Sequence, residues 1–359
     1  MKGKRTGAVE RGIALLLVLL CVVSLAACKK GSDVPLSPGL SMIEGEPIYE
    51  KDVAMRTDHV SVTAGMMAFF FYDYGGALMT EMEKTKAYDP SKSLHDQLYT
   101  DTLSWYDVMM NATLEKVSQL LIYCEAAKAE GLSLTEEQTD SLEKQISQLK
   151  FDAAAAYSLS ADAYLQTLYG PLMNEQEFRR VLELEMLATD YSQKLTQRLE
   201  TGITEEQIDA FARENGLTDD TLSRNMAYLA IPYVGGKANE ESVNAVLAAL
   251  NNAPKAETLD VFAADGTLGS EQNLTPDNMG YAAMKEWLFA DARRISDVGR
   301  VEIGNSTYIL LYTGNGMSYA AVSARMSLYD AAYANWYNTW VEQLTFGYNY
   351  DIIDGYDVQ

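Results

Sequence analysis

The chain has 359 residues and a formal charge of −23, from 51 Asp and Glu against 28 Lys and Arg. Such an acidic balance excludes nucleic acid as a ligand, because phosphates demand a basic patch; it favours encounter with cationic partners and also serves plainly as a solubility device. Hydrophobic residues make up 48% of the chain, which excludes a disordered stalk, and the length suits two domains of about 100–200 residues each.

The first element is a leader. Lys2, Lys4, Arg5 and Arg11 precede an uncharged run from Gly12 to Ala27. That run falls short of the roughly 20 residues a membrane-crossing helix needs. A charged head, an apolar middle and small residues before a break are the anatomy of a secretory signal peptide. Leu25-Ala26-Ala27-Cys28 resembles a bacterial lipoprotein lipobox. The resemblance implies a signal over residues 1–27 and a diacylglyceryl thioether on Cys28, on the outer face of the cell membrane. Two acyl chains hold a protein at a bilayer where one does so only marginally. The alternative is an uncleaved anchor helix with an incidental cysteine, and either places the remainder outside the cytoplasm.

Residues 28–40 then form the lipidated cysteine and a linker, "KKGSDVPLSPGL", on which an acidic body stands off anionic headgroups. With Cys21 removed and Cys28 acylated, Cys124 alone remains and no internal disulfide is expected. It sits in the apolar helical stretch "LLIYCEAA" and reads as a buried small hydrophobe, since a reactive thiol needs an electropositive setting.

Residues 41–222 read as a mostly helical domain. "SVTAGMMAFFFYDYGGALMTEMEK" is a greasy first helix, interrupted by Gly75-Gly76. Leu98, Trp105, Met109, Ala112, Leu120, Cys124 and Ala127 follow helical spacing and mark one face of a long helix, with His95 in its first turn and Gly131 past its end. "TEEQ" at 135–138 and again at 204–207 is a capping box, and Asn174 with Glu177 is a related arrangement. Gly216 closes the last helix of this region.

From residue 223 the texture changes. "NMAYLAIPYV" is a strand, "NEESVNAVLAALNNA" and "TPDNMGYAAMKEWLFAD" are helices, and "VGRVEI" and "STYILLY" flank Gly304-Asn305 as a hairpin. Residues 223–316 therefore read as a small α/β domain. Residues 317–359 are an amphipathic helix and tail. The stripe Tyr329, Tyr333, Trp336 and Trp340 needs a surface to bury against, and the helical domain is expected to supply it. The fold class expected is α+β.

Catalytic residue types are sparse. His59 and His95 lie near no metal-ligand spacing and read as surface or capping groups. No GxSxG, P-loop or GxGxxG occurs. Asp351, Asp354 and Asp357 lack EF-hand spacing and read as a solvated acidic end. No metal and no cofactor is expected.

The order of parts is a lipobox, a helical domain opening with "IEGEPIYEKDV", "ITEEQIDAFARENG", a small α/β domain and a returning helix. It resembles the PrsA/SurA-type extracytoplasmic foldases, which join a helical chaperone domain to a parvulin-type prolyl isomerase domain. "MKEWLFADARRISDVGRVEIGNSTYILLYTG" looks like the closing half of a parvulin domain. The resemblance implies Tyr228 and Tyr308 at the places of the family's two histidines, and Met279, Met284 and Phe289 lining a proline-sized pocket. Tyrosine does not switch charge near neutrality as histidine does, so isomerase activity is expected to be lost or weak; the two tyrosines are otherwise strand residues packing a core.

A membrane-tethered chaperone holding unfolded secreted polypeptides is the leading expectation. Sixteen methionines and twenty-three tyrosines suit adaptable apolar contact, and "MMAFFFYDYGGALM", with Met66 and Phe70, is either core or the lining of a client cradle. The alternatives are an active prolyl isomerase and an envelope scaffold without a folding role; a homodimer is left open.

Overall fold

The computed structural model describes residues 43–85, 89 and 91–356; Cys28 and its linker lie outside the described residues. Short strands β1 (Glu46–Pro47), β2 (Val53–Arg56) and β3 (Ser61–Thr63) precede helices α1 (Ala64–Thr85), α2 (Trp105–Ala129), α3 (Glu136–Tyr157), α4 (Ala161–Tyr169), α5 (Glu175–Gly202) and α6 (Glu205–Glu214). There follow β4 (Leu222–Pro232), α7 (Glu240–Asn252), α8 (Ala256–Asp260), β5 (Thr267–Leu274), α9 (Ala282–Leu288), β6 (Val298–Ile303) and β7 (Ser306–Ser318). The chain continues through α10 (Tyr319–Gln343), β8 (Gly347–Tyr348) and α11 (Tyr350–Ile353). The protein is α+β, as expected. No helix among the described residues is long and apolar enough to cross a membrane. Two compact units result: a sheet unit, Leu199–Ala332, and a helical unit made of the described residues up to Arg198 with the chain from Tyr333 onward.

In the helical unit, cap chemistry sets the helix starts. Thr135 accepts the Gln138 N–H at 3.2 Å and Gln138 answers by accepting the Thr135 N–H at 2.8 Å; Asn174 caps the Glu177 N–H at 3.0 Å. Gly131, with φ +72°, takes the left-handed turn that ends α2. Helix α1 runs unbroken through Gly75-Gly76, against expectation. Two helical glycines cost about 2 kcal/mol together. Full burial of Met66, Met67, Phe70 and Phe71 at about 1.5–3 kcal/mol each outweighs that.

Helix α2 also begins later than its apolar spacing predicts. Ser104 and Asp107 form a full capping box there, and Leu98, assigned to the helix face, is exposed in the loop before it. His95 belongs to a separate 3₁₀ turn, Leu94–Asp96, with its ring stacked on Tyr106 at 3.7 Å. Cys124 is buried, as expected, and burial pushes its thiol up to about 12.

The unit's small sheet has the order β1-β8-β2-β3. The strand nearest the C-terminus, β8, sits between strands from the other end of the unit, parallel to β1 and antiparallel to β2. The tail beyond it packs through its apolar residues, while the acidic ones described there stay exposed, as expected. Ile353 and Tyr356 are buried, the Tyr106 hydroxyl donates to the Ile353 carbonyl, and the Tyr356 hydroxyl donates to the Ala64 carbonyl at 2.6 Å. Asp351 and Asp354 face outward; Asp357 lies outside the described residues. From α10, Trp336 stacks on Tyr123 at 5.5 Å and lies 6.0 Å from Tyr191, and the Tyr333 and Tyr123 hydroxyls are 2.8 Å apart.

The sheet unit is built on an antiparallel sheet in the order β5-β4-β7-β6. Gly304, at φ +57°, makes the tight β6–β7 turn. Strand alternation sends Ala227, Leu229, Ile231, Ile309 and Leu311 to one face, where α7 and α8 cover them with Val243, Val246, Leu250 and Leu259. The opposite face carries Met226, Tyr228, Tyr308, Leu310 and Tyr312 and is only partly covered, by α9 and its flanks.

Candidate functional site

That second face gathers the residues singled out in this half of the sequence. Tyr228 stands opposite Leu310, and Tyr308 opposite Ala230, in the β4–β7 register, so the two tyrosines are diagonal neighbours on one side of the sheet. Their ring centroids are 5.7 Å apart with planes at 50°. Met279, Trp287 and Phe289 pack on the same core as the two rings, half-buried, and Met284 is buried within it. Tyr281, just before α9, brings a third ring within 6.3 Å of Tyr308 and is 44% exposed.

Two glycines make room for flat rings. Gly269 on β5 faces Tyr228 across the ladder, and a Cβ there would occupy the Tyr228 ring; a Cβ on Gly299 would occupy the indole of Trp287. Burial pushes the Tyr228 hydroxyl above its ordinary value, with Glu271 adding to the effect, and burial does the same to Tyr308, helped by Tyr281. Both hydroxyls keep their protons at neutral pH, and neither has a hydrogen-bond partner among the described residues. Glu271, opposite Met226, is exposed as a residue, yet partial burial of its carboxyl raises its pKa.

The chain's two histidines are both in the helical unit. His59 presents its backbone N–H at 2.6 Å and its ring Nδ1 at 3.0 Å to the buried carboxylate of Glu125. No cluster of three or more metal-ligating side chains occurs among the described residues.

Met66 and Phe70 are not client-facing. They are 1% and 0% exposed, in the core of the helical unit, because they lie on the inward face of α1. The cleft of that unit, about 960 Å³, takes Ala64, Ala68 and Tyr72 from another face of the same helix, with Tyr49, Leu172 and Asn349 from elsewhere in the unit.

Sequence reasoning missed Tyr281 and Glu271. The sequence predicts a helix through Tyr281, whereas α9 begins only at Ala282. Glu271 belongs to β5, an edge strand reading "TLGSEQNL" whose residues are mostly exposed and show no apolar alternation.

No family model and no curated protein matches the chain. Among solved structures, it is similar to PrsA from Bacillus subtilis at 13% identity, covering 86% of this chain and 94% of that one, with a TM-score of 0.33. A SurA-like chaperone of Campylobacter jejuni aligns at 10% identity over 83% of this chain and 99% of that one, with a TM-score of 0.26. The foldase PrsA from Lactococcus lactis aligns at 12% identity over 81% and 89%, with a TM-score of 0.23. Over most of its length the chain is thus similar to solved PrsA foldases and SurA-like chaperones, at identities and scores that leave its function to be argued from its own residues.

Proposed function

We propose that this protein is an extracytoplasmic chaperone, anchored through lipid on Cys28, that holds unfolded secreted polypeptides, and that its parvulin-like sheet unit binds extended peptide while isomerising proline weakly or not at all. The observation that carries the reading is the half-open face of Tyr228, Tyr308, Tyr281, Met279 and Phe289. It combines apolar area, adaptable thioether contact and unpartnered hydroxyls able to bond a backbone.

Magnitudes favour binding over catalysis. The prolyl barrier is about 18–20 kcal/mol, and only bonds stronger in the twisted amide than in the planar one lower it. Two neutral hydroxyl bonds contribute at most about 3 kcal/mol, roughly a hundredfold in rate. No imidazole stands in this unit to add charge.

The test uses residues 29–359 as one soluble chain. Aggregation of an unfolded client should be suppressed at near-equal concentration, and NMR exchange of an Ala-Xaa-Pro-Phe peptide should stay close to buffer. Unchanged aggregation would remove the chaperone reading. Fast exchange lost in Tyr308→Phe would make the protein an isomerase working through tyrosine.

A further inference from the structure

The aromatic rings on this sheet face fall into two sets. Arg224 stands over Phe289 and Tyr312, 5.4 Å from each centroid, and is fixed by a bond to the Leu288 carbonyl. Arg293 stands 4.2 Å over Trp287 and bonds that residue's carbonyl at 2.9 Å. These rings already hold cations supplied by the chain. Tyr228, Tyr308 and Tyr281 form the second set, three neighbouring rings tilted at 42–50°, and among the described residues no cationic side chain stands over them.

A carboxylate completes the arrangement. Glu271 lies on β5 two residues beyond Gly269, where the hydroxyl end of the Tyr228 ring fills the place of a Cβ. Alternation returns its side chain to the same face as Tyr228, and its charge acts on the Tyr228 hydroxyl. Its carboxylate has no salt bridge or hydrogen bond among the described residues. Electron-rich ring faces and an unpaired carboxylate attract the same ligand, a partly desolvated cation, and the net charge of −23 draws basic segments to the protein from a distance.

We propose that Tyr228, Tyr308, Tyr281 and Glu271 form a site for the basic side chain, Lys or Arg, of an extended peptide bound on this face. The site rests on the reading of the face as a peptide-binding surface and adds a rule of selection to it. A segment with a basic residue near apolar positions is held, and its neutral counterpart is released sooner.

The test titrates residues 29–359 with a blocked heptapeptide of Gly, Ser and Ala carrying one central Arg, and with the same peptide carrying Gln, at 0.15 M salt, followed by amide and ring NMR shifts. The Arg peptide should bind about tenfold tighter, with shifts concentrated at the three tyrosines. Tyr281→Leu, which changes no charge, and Glu271→Gln should each bring the ratio to about threefold or less. Both alter exposed positions, and unchanged spectra elsewhere would verify their folds. Equal binding of the two peptides to the unaltered chain overturns the cation site and leaves the peptide surface standing. A preference that survives both substitutions assigns it to the general acidity of the protein and overturns the site. Binding of neither peptide overturns both the site and the surface.

Discussion

The hydroxyl end of the Tyr228 ring fills the place a Cβ on Gly269 would take, across the β4–β5 ladder. The two residues are one feature, since any side chain at 269 must displace the ring at 228. Gly269→Ala should cost the sheet unit about 1–3 kcal/mol, the usual range for an overpacked methyl. In a Tyr228→Ala background the same change should cost little. Urea unfolding of the four proteins in this cycle measures the coupling; equal costs in both backgrounds would show that ring and glycine do not compete for space.

Glu125 in the helical unit should govern part of its acid stability. The carboxylate accepts from the Thr57 hydroxyl and the His59 N–H at 2.6 Å and from the Val60 N–H at 3.0 Å. Burial alone would raise its pKa, but the bonds from Thr57 and His59 bring it below the ordinary value. Its contribution is therefore complete above the unfolded pKa of about 4.3 and lost as pH falls through the lower folded value. Glu125→Leu, which strands the His59 and Val60 N–H groups and leaves the Thr57 hydroxyl only the Val60 carbonyl at 3.3 Å, should cost about 3 kcal/mol at pH 7 and less at pH 3. A cost independent of pH would exclude this role.

Glu185 should act with the opposite sign. Burial, reinforced by Asp73, raises its carboxyl to about 8, far above an unfolded value of about 4.3. Between these values the unfolded chain gives up a proton that the folded chain retains, so stability falls as pH rises. Glu185→Gln keeps the shape without the titration. Its advantage should grow by about 1.4 kcal/mol per pH unit between about pH 4.5 and 8. Melting curves across that range decide it, and parallel curves for the two proteins would contradict the burial effect.

Removing the chain beyond Leu344 should abolish cooperative unfolding of the helical unit. The cut deletes β8, leaves the Glu46 N–H without its 2.7 Å bond to Phe346 and the Ile48 N–H without its 2.9 Å bond to Tyr348, and strips Tyr348, Ile353 and Tyr356 from the core. At about 1.5–3 kcal/mol for each buried side chain the loss rivals a typical domain's whole stability of about 5–15 kcal/mol. Retention of a sharp calorimetric transition for that unit would refute it.

What the sequence made legible was local. Thr135 with Gln138 and Thr204 with Gln207 cap their helices as read, and the turn at Gly304 joins the hairpin where the Gly304-Asn305 signal placed it. Tyr228, Tyr308, Met279 and Phe289 are grouped by the family resemblance alone: the two tyrosines share a face only through the β4–β7 register, and Met279 and Phe289 flank α9, which no local period reveals. The small sheet was invisible, since strands of two to four residues carry no usable period and β1 finds its partner in β8 near the other end of the chain. Glu271 stayed hidden on a polar edge strand. Met66 and Phe70 show the remaining gap: composition marked α1 as apolar on nearly every side, and only packing could decide which side meets the core and which, through Ala64, Ala68 and Tyr72, opens on a cleft.

The place of β8 has a consequence for how the protein is made. Tyr348 bonds the carbonyl of Ile43, 305 residues earlier, at 3.0 Å. At synthesis rates of about 5–20 residues per second, Ile43 precedes Tyr348 by roughly 15–60 s. Throughout that interval β1 and β2 lack the strand that joins them, and the seats of Phe346 and Tyr356 stand open to any sticky neighbour. A protein we propose to shelter unfinished chains is thus, during its own birth, a client until β8 has been made.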